Sequence, residues 1–405
     1  AGTAAPPAES GLVCTTRHTG THASAFDLVA KAGNIITPDA DSLAMWGFAE
    51  SGHGYQYPSP FLCVTEGDSV TITLRNDLDV PTSIIFPGIT GVLADGQPSQ
   101  PETDAGTGDT SLAPVVPAHG STTYTFVASR PGTYIYESGT DQARQVNMGL
   151  FGGLIVHPAS DTPTAKRAYG ANTSYKPGQE YALLLSDIDP ELHIAAAKGQ
   201  KFDMARYRPR YFFLNGRSFP DTLAPNGASW LPSQPYGSLV HIEQYDVDDN
   251  PLPALVRFLN VSSVQHPFHP HANHVRLVGR DGAPVVDGAS DRSTLHYSVP
   301  ISPGQTWDML YDWTDVDAYD PSTNPVQTLV PATPDRDHPG GESYWSGSPY
   351  LGKTGPMQAG VAVNNQCGEY YHVAHSHALQ EATNYGASMG GMLTLIRIDP
   401  LGGCK

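Results

Sequence analysis

HPFHPHANH, at residues 266–274, and HVAHSH, at residues 372–377, decide how this chain is read. Each run lies in an apolar, β-favouring context, where side chains alternate between the two faces of a strand. His269 and His271 therefore share one face, and His375 and His377 share another. If the two faces meet, four imidazole nitrogens converge, and such a donor set is a transition-metal site for copper or zinc. Histidines also gather in polar loops without touching any metal, but two HxH pairs embedded in strand-like sequence weigh against that reading.

Outward from these runs, the chain has 405 residues with 41 Gly and 36 Pro and no low-complexity repetition, a composition of short strands punctuated by turns. The segment most like a helix, ELHIAAAKGQKFDMARY at 191–207, is short and is broken by Gly199. An all-β sandwich architecture follows. In the first half, CVTEGDSVTITLRNDL (63–78), STTYTFVAS (121–129), GTYIYESG (132–139) and FGGLIVHP (151–158) read as strands. The second half repeats this grammar. PALVRFLNVS (253–262) matches VTITLRNDL in ending an alternating strand with Asn at a turn, SPGQTWDMLYDW (302–313) takes the place of PAHGSTTYTFVAS, and GGMLTLIRIDP (390–400) echoes FGGLIVHP. An internal duplication is expected, with a first domain over 1–160, a linker over 161–180 and a second domain over 181–405. The irregular stretch 314–368 reads as a lid over the site.

Twenty-two Lys and Arg against 40 Asp and Glu give a net charge of −18, which disfavours nucleic acid and anionic membranes as partners. No apolar run is long enough to span a membrane. The opening AGTAAPPAES reads as a mature terminus whose leader has been removed. Four cysteines without a CxxC motif suit two disulfides and a secreted or periplasmic protein, with Cys14–Cys63 and Cys367–Cys404 the economical pairing of three; four buried thiols are the alternative.

TEGDSVTITLRNDL, VRFLN followed by HPFHPHANHVRLVGRDG, and YYHVAHSH followed by MGGMLTLI together resemble the two-domain multicopper oxidases, a cupredoxin-fold family that includes small laccases and is related to copper nitrite reductases. The resemblance runs from about Ser42 to Pro400 and implies two cupredoxin-like Greek-key β-sandwich domains. It gives His266 to the blue copper and His269, His271, His375 and His377 to the trinuclear cluster.

The departures are as informative as the matches. Ser376 stands where the family has its copper-binding cysteine, and Glu381 stands where the blue copper's second histidine falls. Without a thiolate the trigonal His₂Cys site cannot assemble. TSIIFPGI puts Ile85 and Pro87 at the two histidine positions of the first motif, and GTYIYESG puts Glu137 and Gly139 at those of the second. Four of the eight cluster histidines remain, so the resemblance implies one metal ion rather than three. The expected protein is a copper-binding oxidoreductase without a blue centre, acting on dioxygen or a small molecule with Glu137 moving protons. Non-catalytic storage of copper or zinc is the alternative, and zinc hydrolysis with Glu137 as general base a third reading. The family's ring geometry implies a homotrimer in which Glu137 reaches a neighbour's histidines. His274 and His372 are expected beside the site, and Tyr344, Trp345, Tyr370 and Tyr371 as packing residues.

Overall fold

The computed structural model describes residues 10–315 and 370–399, apart from 104, 107, 109, 171, 244, 247–251, 272–273 and 288–289. Cys367, Cys404, Tyr344, Trp345 and nearly all of the expected lid lie outside the described residues.

The architecture is two β-sandwiches. In the first, a sheet ordered Cys14–Thr15, Phe61–Thr65, Phe151–His157, Gly132–Glu137 packs on a larger one built around Ala23–Ile36, Ser69–Asn76 and Ser121–Val127. Alternation explains the layers: SVTITLRN buries Val70, Ile72, Leu74 and Asn76 and turns the intervening residues outward. The buried residues join Phe26, Leu28, Tyr124 and Leu154 in one core. In the second sandwich, the sheet containing Glu180–Ile188, Ala254–Asn260, Thr306–Tyr311 and Val275–Arg280 faces one ordered Val240–Glu243, Leu393–Asp399, Tyr370–Ser376, His266–Pro270, Val299–Ile301. Phe258, Phe268, Met309 and Ile396 fill the space between.

The duplicated grammar has a physical basis in two buried asparagines. Asn76 Oδ1 accepts from Leu78 N at 3.0 Å while its Nδ2 donates to Val80 O at 2.8 Å. Asn260 repeats the pattern, with Ser262 N at 2.9 Å and Val264 O at 2.9 Å. Each amide closes the turn after its strand and satisfies backbone groups that would otherwise be buried unpaired.

The sandwiches share a seam. Phe61, Ile135 and Phe151 from the first pack with Leu184, Phe213 and Leu259 from the second. Polar groups are buried at the same boundary: Thr133 Oγ1 donates to Asp308 Oδ1 at 2.6 Å and accepts from Arg257 at 3.0 Å, and Arg257 Nε pairs with Glu180 at 2.7 Å. Burial alone would push the Glu180 carboxyl up, but His157 and Arg257 outweigh it and hold it well below the usual carboxylate range.

The helix-like segment resolves as expected for a stretch broken by glycine. The helix Pro190–Ala197 is capped by Asp189, whose side chain accepts from Glu191 N at 2.9 Å, and Gly199 leaves the helical region with φ +64°. Cys14 and Cys63 form a disulfide. Among the described residues no helix is long and apolar enough to cross a membrane.

Candidate metal centre

The His266–Pro270 strand runs antiparallel to Tyr370–Ser376, in a register that sets Phe268 against Ser376, His269 against His375 and Pro270 against Ala374. His271 N donates to Val373 O at 2.9 Å and His377 N to Pro267 O at 2.7 Å, extending the ladder at both ends. Alternation then sorts the side chains. Phe268, Ala374 and Ser376 point into the core, whereas His269 and His375 are half-buried and His271 and His377 exposed on the outer face.

All four outer imidazoles come together. Ring centres lie 4.8 Å apart for His269 and His271, 5.1 Å for His271 and His375, 5.3 Å for His269 and His377, and 5.8 Å for His375 and His377. His271 Nε2 stands 3.0 Å from His375 Nε2. His269 Nδ1 donates to Tyr297 O at 2.6 Å and His375 Nδ1 to Ser376 O at 2.7 Å. A carbonyl only accepts, so both rings carry their proton on Nδ1 and present the Nε2 lone pair, the orientation that metal-binding histidines need. Burial, reinforced by the neighbouring imidazoles, holds His271 and His375 below the ordinary histidine range and keeps them neutral. This donor set suits copper or zinc by its chemistry. Among the described residues no group of three or more His, Cys, Asp or Glu is arranged so that it could hold a metal ion as it stands.

His266 is elsewhere. It is fully buried on the inner face, with Nδ1 2.7 Å from Glu381 Oε2 and Nε2 2.6 Å from Ser262 Oγ. Ser376 Oγ donates to the same Glu381 oxygen. The resemblance gives His266 to a metal; here both its nitrogens lie within hydrogen-bond distance of protein partners. Asp187 lies in the same polar core, where burial pushes its carboxyl up to about 6 against the opposing influence of His266.

Glu137 ends the Gly132–Glu137 strand of the first sandwich. Burial pushes its carboxyl up to about 7, and none of the four histidines contributes to that shift. Among the described residues no hydrogen bond or ion pair joins Glu137 to the four histidines. Its surroundings have been rebuilt without ligands. Ile85 bridges to Glu137, and a Cβ on Gly139 would lie 2.7 Å from Ile85 Cγ2, leaving no space for an imidazole. Ser83, Ser111 and Thr140 close the same region as a ring of hydroxyls at 2.9–3.0 Å.

Of the other expected neighbours, exposed His274 has its ring 6.2 Å from that of Tyr297, and His372 stacks on Trp313 at 4.9 Å with its Nε2 buried and without a hydrogen-bond partner. Tyr297 and Ser262 are contributions the sequence reading did not find. Tyr297 acts through its carbonyl, which no side-chain pattern marks, and Ser262 through a turn that brings it back to His266.

Comparison with known proteins bears on the fold and the family. Residues 49–161 match the multicopper oxidase family model. A probable nitrite reductase-hydroxylamine oxidoreductase fusion protein of Kuenenia stuttgartiensis is 24% identical over 241 residues, covering 56% of this chain and 22% of that protein. Copper resistance protein A of Pseudomonas syringae pv. tomato is 31% identical over 134 residues, covering 33% and 18%. The chain thus spans about a fifth of the length of these curated relatives. Among solved structures, the multicopper oxidase mgLAC superposes with a TM-score of 0.58 at 18% identity, over 93% of this chain and 86% of that one. A blue copper oxidase from Nitrosomonas europaea gives 0.57 at 19% identity, over 92% and 85%. The copper nitrite reductase from Nitrosomonas europaea gives 0.54 at 16%, over 93% and 94%. Residues 49–161 are thus similar to a multicopper oxidase domain, and the chain as a whole shares the two-domain cupredoxin-like fold of these solved structures.

Proposed function

We propose that this protein binds one copper ion through His269, His271, His375 and His377 and acts as an oxidoreductase without a blue copper centre. The observation that carries the reading is the cross-strand pairing of His269 with His375, which gathers the four rings and sets two Nε2 atoms 3.0 Å apart. Copper held there would supply one-electron redox chemistry toward dioxygen or a small molecule, with exposed His271 and His377 at the rim of the site. The strand pair fixes the backbone, and the carbonyls of Tyr297 and Ser376 orient two of the rings. Three coppers are not supported, because Ile85, Pro87 and Gly139 cannot donate to a metal.

Glu137 is the proton acceptor in this reading. Burial holds it close to half-protonated at neutral pH, the condition under which a general base works best. It serves a neighbouring copy's histidines across a subunit boundary in a homotrimer. The Cys14–Cys63 disulfide supports a secreted or periplasmic setting. The lack of any hydrogen bond or ion pair between Glu137 and the four histidines among the described residues favours a second reading if the chain is monomeric: a non-catalytic copper or zinc binder. Metal analysis, solution mass and oxygen consumption with reducing substrates separate the two. Copper at one equivalent, a trimer mass and turnover support the oxidoreductase; a monomer that loads metal without turnover supports the binder; and absence of stoichiometric metal removes both.

A further inference from the structure

The inner face of the same strand pair carries a second polar cluster that the proposed chemistry does not use. His266 and Ser376 are fully buried, Glu381 is 3% exposed and Ser262 6%. Ser262 Oγ lies 2.7 Å from Asn260 Oδ1 and 2.9 Å from Val264 O, two acceptors that claim its single proton. His266 Nε2 is thus held against Ser262 and Nδ1 against Glu381, so both ring nitrogens are engaged within the buried cluster. Glu381 Oε2 also accepts from Ser376 Oγ, and no nitrogen of His266 is left for a metal.

We infer that His266, Glu381 and Ser376 form a metal-free clasp that aims the outer histidines, and that all three are positioning residues for the site proposed above, on whose metal-binding reading this inference rests. Ser376 stands between His375 and His377, and its carbonyl is the group that orients the His375 ring. The clasp fixes Ser376 from three sides. Its hydroxyl is held by Glu381, its N donates to Met392 O at 3.0 Å, and Ala378 N donates back to its Oγ at 3.3 Å. Glu381 is itself anchored, its N donating to Ala378 O and its O accepting from Met392 N, both at 2.8 Å. Moving Glu381 would thus release the peptide between two proposed ligands. In the family resemblance this is the place of the blue copper and its thiolate; here a histidine–glutamate pair and a hydroxyl span it.

The test uses the full chain and Cu(II) itself, comparing wild type with Ser376→Ala, Glu381→Gln and Glu381→Ala. Chelator competition gives affinity, electron paramagnetic resonance gives the copper signature, and amide hydrogen exchange at residues 374–378 is measured without metal. Loss of an outer partner of a ligand typically costs about 10–100-fold in affinity. Ser376→Ala and Glu381→Ala are expected to weaken Cu(II) binding by about that factor, alter the resonance spectrum and speed exchange, while Glu381→Gln, which keeps the shape, restores most of the wild-type signature. Folded variants with unchanged affinity, spectrum and exchange would overturn the clasp. If Glu381→Ala does not fold, Ser376→Ala decides alone. If wild type binds no copper, the site reading fails, and the exchange measurement still decides whether the clasp holds this segment.

Discussion

The two faces of one antiparallel strand pair have opposite characters. On the outer face, His269, His271, His375 and His377 are half-buried to exposed, and His269 and His375 turn Nδ1 toward backbone carbonyls. On the inner face, His266, Glu381 and Ser376 are buried and bonded to one another. The sequence alternates between these faces residue by residue, so neighbours such as His375 and Ser376 have different tasks. The comparison teaches that a histidine motif is not a metal site as a block: period 2 divides it into donors that remain available and donors that the fold consumes.

The contrast predicts that mutations on the two faces fail in different ways. The largest effect is expected from His375→Ala combined with His377→Ala, which should abolish stoichiometric copper binding while lowering unfolding free energy by only about 1–2 kcal/mol, since His375 is half-buried and His377 exposed. Equilibrium dialysis and urea unfolding together check this; a full equivalent of copper retained by the double variant would break the assignment of the outer face. On the inner face, Glu381→Ala should cost about 1–3 kcal/mol in urea unfolding, because it leaves the buried His266 Nδ1 and Ser376 Oγ without their shared partner. A cost below about 0.5 kcal/mol would show that the buried cluster does not hold the fold.

Glu137 extends the comparison to the first sandwich. A folded-state value of about 7 lies above the ordinary carboxylate range, so the folded chain binds more protons than the unfolded chain between pH ~4.5 and ~7, and stability falls as pH rises through that window. Glu137→Gln removes this penalty and should stabilise the chain by roughly 2–3 kcal/mol above pH 7, an effect absent below pH ~4. The same variant should lower turnover by about 10²-fold and remove the rise in rate near pH 7, with little change in copper affinity. Stabilisation without loss of turnover would leave the carboxyl with no part in the chemistry. The smallest effect is expected at Tyr297: because its carbonyl rather than its ring holds His269, Tyr297→Phe should change copper affinity less than threefold, about 0.6 kcal/mol.

Much of the fold was legible. Alternation located Ser69–Asn76, Ser121–Val127, Ala254–Asn260 and Thr306–Tyr311, and the repeated Asn at a strand end identified two turns that the structure closes with the same hydrogen bonds. The 14-residue strand Ala23–Ile36 and its hairpin partner Ser42–Glu50 went unnoticed, although Phe26, Leu28 and Ala30 alternate inward as clearly as the strands that were found. In the site, the HxH pairs indicated the outer face. The register that sets His269 against His375 depends on pairing across more than a hundred residues, which local spacing cannot specify. The clasp was legible only as a loss: Ser376 and Glu381 stood out as missing ligands, and nothing in the sequence said that the replacements bond to each other and to His266.

The most direct test of the central claim is copper loading of the purified full-length protein, followed by metal analysis and electron paramagnetic resonance. One Cu(II) per chain with nitrogen hyperfine structure from imidazoles, lost in the His375→Ala, His377→Ala variant, and no intense blue absorption is the expected result. Three coppers per chain, an intense blue thiolate band, or no bound copper at all would contradict it.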